Sequence, residues 1–89
     1  MSERPLYEIA NEVRADWGDK IYFGAVPYLH AMSHLTTMID IYGVESAESI
    51  VQYFLANART WRGETARRVK NELKQMIIDV NERVIEDWE

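Results

Sequence analysis

Apolar residues recur at helical spacing along almost the whole chain. Leu6, Ile9, Ala10, Val13 and Trp17 stand three or four positions apart, and Gly18 follows as a left-handed stop. This predicts a first helix over about 4–17, with Ser2 as its cap and Pro5 in the opening turn, where no N–H is needed. Pro27 then sits near the first turn of a second helix, about 26–42. Tyr28, Met32, Leu35, Ile39 and Tyr42 alternate steps of four and three, a coiled-coil-like seam, with Gly43 as its stop and Val44 as the contact of a Schellman cap. Ser46 is placed to cap a third helix, about 46–58, whose stripe is Ala47, Ile50, Val51, Phe54, Leu55 and Ala58.

Thr60, or else Gly63, opens a fourth helix over about 61–87, and no glycine or proline interrupts the chain after Gly63. Its seam is Ala66, Val69, Leu73, Met76, Val80, Val84 and Trp88. No segment alternates apolar and polar residues long enough for a strand. The expected fold is therefore all-α, one small four-helix domain over 1–89 with a long C-terminal helix.

Helix lengths do not match. The fourth would run about 38 Å and the second only about 25 Å. Ile77, Val80, Val84, Ile85 and Trp88 would then overhang a bundle built to the shorter helices. Such a tail folds back on the first helix, frays, or is buried against a second copy in a homodimer. Glu82, Glu86, Asp87 and Glu89 crowd the helix C-terminus, where the macrodipole disfavours negative charge. That favours an end held by a partner surface.

Composition narrows the classes. At 89 residues the chain can bury one core, and 47% hydrophobic residues with 11% aromatics describe a packed chain rather than a disordered one. The absence of cysteine removes disulfides, thiolate catalysis and sulfur-ligated zinc. Residues 1–5 begin no apolar signal region, and the uncharged stretch 21–39 contains Gly24, Pro27 and two histidines, which a membrane span would not choose. The expectation is a cytoplasmic protein without a membrane partner.

The net charge of −5 conceals a pattern. Residues 1–60 carry four basic against eight acidic groups, and residues 77–89 carry Arg83 against five acids. Between them, Arg62, Arg67, Arg68, Lys70 and Lys74 face only Glu64 and Glu72, a net of +3. Arg67, Lys70 and Lys74 share a helix face, so phosphate contact is geometrically open. Against it, the helix start offers Trp61, Gly63 and Glu64 rather than base-reading side chains, and an acidic chain repels nucleic acid at long range. A solvated face with internal pairs such as Glu64–Arg68, and with Lys70 and Lys74 flanking Glu72, is the plainer alternative. Gly63 in a first helical turn costs up to about 1 kcal/mol relative to alanine, which suggests a close backbone or ligand there. Arg62 beside the free N–H groups would make a small anion site; the alternative is a close helix crossing with Trp61 in the core.

Other candidates are weaker. His30 and His34 have the four-residue spacing of a shared metal, but position 31 is alanine and no third ligand is evident. Trp17, Tyr22, Phe23 and Tyr28 could line a pocket, although aromatics at this density are expected to fill the core. Ser33, Thr36, Thr37 and Ser49 have no neighbouring base, so no nucleophile is named and no enzymatic activity is expected. No metal or cofactor is expected either.

The segments Tyr22-Phe23-Gly24-Ala25-Val26-Pro27-Tyr28-Leu29, Tyr53-Phe54-Leu55-Ala56-Asn57-Ala58 and Thr60-Trp61-Arg62-Gly63-Glu64-Thr65-Ala66-Arg67-Arg68-Val69-Lys70 resemble small proteins of actinobacterial phages and their hosts. The resemblance spans about 6–76 and implies no activity. It implies a context in which short accessory proteins bind a host or phage protein. Members of that group end near the position of Met76, so 77–89 is a departure. The expected function is a non-enzymatic protein-binding factor, dimeric through the C-terminal helix, with Arg62, Arg67, Lys70, Lys74, Val84 and Trp88 as partner-binding residues. The alternative is a nucleic-acid-binding regulator using the basic half of the fourth helix.

Overall fold

Helix α1, Leu6–Trp17, buries the predicted stripe Leu6, Ile9, Ala10, Val13 and Trp17 and stops at Gly18, whose φ is 64°. The computed structural model describes the backbone of residues 3–87 and the side chains of residues 3–82. Ser2, Trp88 and the side chains of Val84 and Ile85 lie outside the described residues. Pro5, expected inside the first turn, is instead the cap residue of α1 and offers no side-chain bond. The free N–H groups of Leu6 and Tyr7 are taken by the carbonyls of Thr36 and Leu35, at 3.0 and 2.9 Å. A later segment of the chain caps the first helix.

That contact changes the second helix. α2 spans only Val26–Met32 rather than 26–42. Beyond it the Ser33 hydroxyl donates to the His30 carbonyl at 2.6 Å. The Asp40 carboxylate accepts from the Thr36 and Thr37 N–H groups, at 2.9 and 3.0 Å, and from the Thr37 hydroxyl at 3.0 Å. Short polar side chains here compete with the helical ladder for backbone groups and win. Those bonds also hold the Asp40 carboxyl below its ordinary pKa, the Thr37 N–H contributing most.

The chain then makes a two-stranded antiparallel hairpin, β1 (Ile41–Tyr42) and β2 (Glu45–Ser46), with Tyr42 paired to Glu45. Gly43 (φ 65°) and Val44 form its turn, the glycine-first order of a type II′ turn. Gly43 is thus a hairpin turn and not a helix stop. Val44 caps nothing and is 97% exposed, while Ile39 is 73% exposed rather than part of a seam. Leu35 and Met38 remain buried.

Helix α3, Ala47–Ala56, is capped as expected by Ser46, whose hydroxyl accepts from the Ser49 N–H at 3.2 Å. It ends two residues early because Asn57 turns back, its Nδ2 donating to the Tyr53 carbonyl at 2.8 Å. Helix α4, Glu64–Asp87, is the long C-terminal helix. Gly63 accepts its first bond, from the Arg67 N–H at 3.0 Å, and the start therefore falls at Gly63 rather than Thr60. A β-carbon on Gly63 would meet nothing of the chain within 4 Å, so no neighbouring backbone demands glycine there; its φ of 114° does.

The core joins all four helices. Trp17 stacks on Trp61 at 5.7 Å between ring centroids and meets Phe54 edge-on at 6.5 Å. Ala66, Val69, Leu73, Met76 and Val80 of α4 complete it, with Ile77 partly buried. Ile77 and Val80 were expected to overhang; both are covered. Val80 borders a small cleft with Glu3, Thr37, Met38 and Ile39, because the segment that leaves α2 returns over the far part of α4.

An ion-pair chain ties the N-terminus and α1 to α4. Arg4 grips Glu72 through Nε and Nη2, at 3.0 and 2.6 Å, and reaches Glu12 through Nη1 at 2.8 Å. Arg68 pairs with the other oxygen of Glu12. The expected Glu64–Arg68 pair is replaced because α1 packs beside α4 and offers Glu12. Burial pushes the Glu12 carboxyl up, but the hydrogen bonds and charges of Arg68 and Arg4 outweigh it and hold it below its ordinary 4.5. Glu72 raises the pKa of the Arg4 guanidinium, which stays protonated throughout the acid range.

Two outcomes are expected. Trp17→Ala removes a buried ring from the aromatic cluster and lowers stability by about 3–5 kcal/mol in chemical denaturation. A loss below about 1 kcal/mol would mean that the rings form no common core. The depressed Glu12 pKa adds stability that is complete above 4.5 and is lost as the pH falls further. Glu12→Gln should therefore flatten the acid limb of a stability–pH profile; an unchanged limb would remove Glu12 from acid unfolding.

Candidate interaction surfaces

Trp61 is the residue on which the basic block is built. Its ring is buried in the aromatic cluster, and its Nε1 donates to Asp16 at 2.9 Å. Its carbonyl accepts from the Lys70 ammonium at 2.6 Å, and that ammonium lies 5.9 Å from the ring centroid. A shallow cleft of about 350 Å³ opens beside it, lined by Trp61, Arg62, Gly63, Ala66, Arg67 and Lys70. Arg62 also borders a second cleft, of about 440 Å³, with Asp16, Trp17, Lys20, Thr60 and Trp61.

The structure thus brings Arg62, Arg67 and Lys70 around one cleft, with Lys74 a turn further along α4. Arg62, Arg67 and Lys74 are exposed and form no ion pair among the described residues. Burial, followed by the charges of Lys74 and Arg62, lowers the Lys70 pKa from its ordinary 10.5. The charges of Lys74 and Arg62 act on Lys70 with no carboxylate in the lining of this cleft, a setting that favours an incoming anionic group. Arg68 is drawn away to Glu12. The Val84 side chain and Trp88 lie outside the described residues.

The chain matches no protein-family model, no curated protein and no solved structure. What it binds must be argued from its surfaces.

A second surface departs from expectation. Tyr22 and Phe23 do not fill the core: Phe23 is 79% exposed, its ring tilted against Tyr22 at 4.8 Å. The cause lies in the tight turn Phe23–Ala25. A β-carbon on Gly24 would fall 2.5 Å from Tyr22 Cε2 and 2.8 Å from Asn57 Oδ1, so the backbone itself packs there. The small Ala25 goes inward, and Phe23 and Val26 turn out. Tyr28 is half-buried and stacks on the exposed Tyr53 at 5.5 Å.

The outward face of α2 continues this patch. His30 meets His34 edge-on at 4.9 Å, and His34 stacks on Tyr42 of the hairpin at 5.9 Å. Among the described residues, no group of three or more histidines or carboxylates is placed to hold a metal. The histidines belong to a ridge of Phe23, Val26, His30, His34 and Tyr42. A pattern of small residues flanked by large ones, Phe23-Gly24-Ala25-Val26, was the sequence signal for it. Among the described residues no helix is long and apolar enough to cross a membrane.

Removing Lys74 or Arg62 should raise the Lys70 pKa toward its ordinary 10.5, since each is a like charge that depresses it. An NMR titration of the lysine side chain in Lys74→Ala reads this directly. A fall, or no change, would mean that the cations do not share one field.

Proposed function

We propose that this chain is a non-enzymatic accessory domain of the cytoplasm that binds a protein partner across the aromatic ridge and pairs with itself through α4. The observation that carries it is the exposure of Phe23 and Val26 beside the His30–His34–Tyr42 stack. Ile41 at 66% and Val44 extend apolar surface onto the neighbouring hairpin. Exposed aromatic and apolar side chains gathered on so small a domain mark an interaction site, and aromatic side chains are the usual anchors of such contacts. The cations at Arg62, Arg67, Lys70 and Lys74 give the same domain a place for acidic groups of the partner. That the partner is a host or phage protein is part of this proposal and rests on the sequence resemblance alone.

A second reading has its own observation. Arg62, Arg67 and Lys70 line one cleft without an opposing carboxylate, which suits a nucleic-acid phosphate as well as an acidic peptide. The two differ in what they require. Partner capture from host lysate should fall at least tenfold with Phe23→Ser, a surface change expected to alter stability by only about 0.5 kcal/mol. Undiminished capture by that variant would remove the ridge from the function. Retention of DNA or RNA that drops steeply with salt and is lost in Arg67→Glu would replace the protein-binding reading.

A further inference from the structure

Lys74, Ile78 and Glu82 are spaced four residues apart on α4 and form one line on its surface. All three are exposed, Ile78 at 47%, the one exposed large hydrophobic residue of α4 among the described residues. Neither Lys74 nor Glu82 forms an ion pair among the described residues, whereas neighbouring Asp79 already accepts from Gln75 at 2.9 Å. An apolar residue thus stands between a cation and an anion that form no ion pair among the described residues.

The order of charges matters as much as their number. Residues 61–76 have a net charge of +3 and residues 77–89 a net charge of −4. Glu86 and Asp87 close the helix without a basic residue in the last turn and so oppose the macrodipole at the C-terminus of an isolated α4. A second α4 running parallel would set like charges side by side. An antiparallel one sets each basic half against an acidic half and opposes the two dipoles.

We propose that a second copy of this chain docks antiparallel along α4, about a two-fold axis at Ile78. Ile78 then meets Ile78 of the other copy, and each Lys74 meets the other copy's Glu82. The contact is isologous, so one residue line supplies both ion pairs and the apolar centre. This rests on the homodimer reading above and assigns its face and register. Exposed ion pairs contribute little affinity, but like charges placed opposite each other select against the wrong register.

Sedimentation of the full chain over a concentration series tests it. The wild type is expected to dimerise. Lys74→Glu or Glu82→Lys alone should weaken self-association at least tenfold, each placing two like-charge pairs across the axis. Mixing the two variants should restore dimers as heterodimers, and the double variant should restore homodimers. Circular dichroism checks that each variant keeps its helices. A wild type that stays monomeric overturns this proposal together with the homodimer reading. A dimer that both single variants leave intact, or that mixing fails to rescue, overturns the Ile78 register and leaves the homodimer standing.

Discussion

The N-terminus of α1 depends on two carbonyl groups from a distant part of the chain. Pro5 offers no side-chain cap, so the Leu6 and Tyr7 N–H groups would be left without a partner in the chain but for Thr36 and Leu35. That requirement is incompatible with a second helix running to Tyr42, because helical carbonyls at 35 and 36 would be spent within their own helix. The chain therefore leaves α2 at Met32, and much else follows. Leu35 and Met38 reach the core, Val80 of α4 gains cover, and Ile39, Ile41 and Val44 are carried outside on a hairpin.

Trp61 plays the corresponding role at the other end of the molecule. Its ring closes the cluster with Trp17 and Phe54, while its polar atoms reach outward to Asp16 and Lys70. One residue therefore couples the packed interior to the placement of the surface cations. Lys70 is held against the Trp61 carbonyl, and its neighbours Arg62, Arg67 and Lys74 stay without carboxylate partners among the described residues. Two nearby carboxylates are engaged by other cations: Glu12 is shared between Arg4 and Arg68, and Glu72 is held by Arg4. Which cations of the block find a carboxylate is thus a result of how α1 packs on α4.

Much of the framework was legible along the chain, and the failures have physical causes. The stripes of α1, α3 and α4 are long, with a spacing that only one element type satisfies, and Gly18 and Ser46 act as the terminators expected of them. The segment 28–42 shows a seam of equal regularity, yet Ser33, Thr36, Thr37 and Asp40 lie between its apolar positions. The Ser33 hydroxyl donates to the His30 carbonyl and the Asp40 carboxylate accepts from the Thr36 and Thr37 N–H groups, and these local bonds outcompete the ladder, a signal present in the sequence and outweighed by apolar spacing. The basic residues were legible as a group, but not their division: nothing local separates Arg68, which crosses to Glu12, from Arg67, which does not. The aromatic ridge was missed because burial was assigned by residue size, whereas the close approach at Gly24 sends the small residues inward.

Local chemistry by itself determined the all-α class, six of the eight helix ends within a residue or two, and the alternation of acidic and basic blocks, because these depend on spacing and composition within a few turns. Tertiary structure alone decided where α2 stops, which cations are paired, how far α4 is covered and which aromatics face solvent. Each of those is settled by a group far away in the chain: an orphan N–H at Leu6, a carboxylate at Glu12, a loop over Val80, the Asn57 side chain against Gly24. Local bonds of Ser33 and Asp40 also act where α2 stops, but for the pairing of the cations and the cover of α4 nothing within reach of a helical turn carries the information.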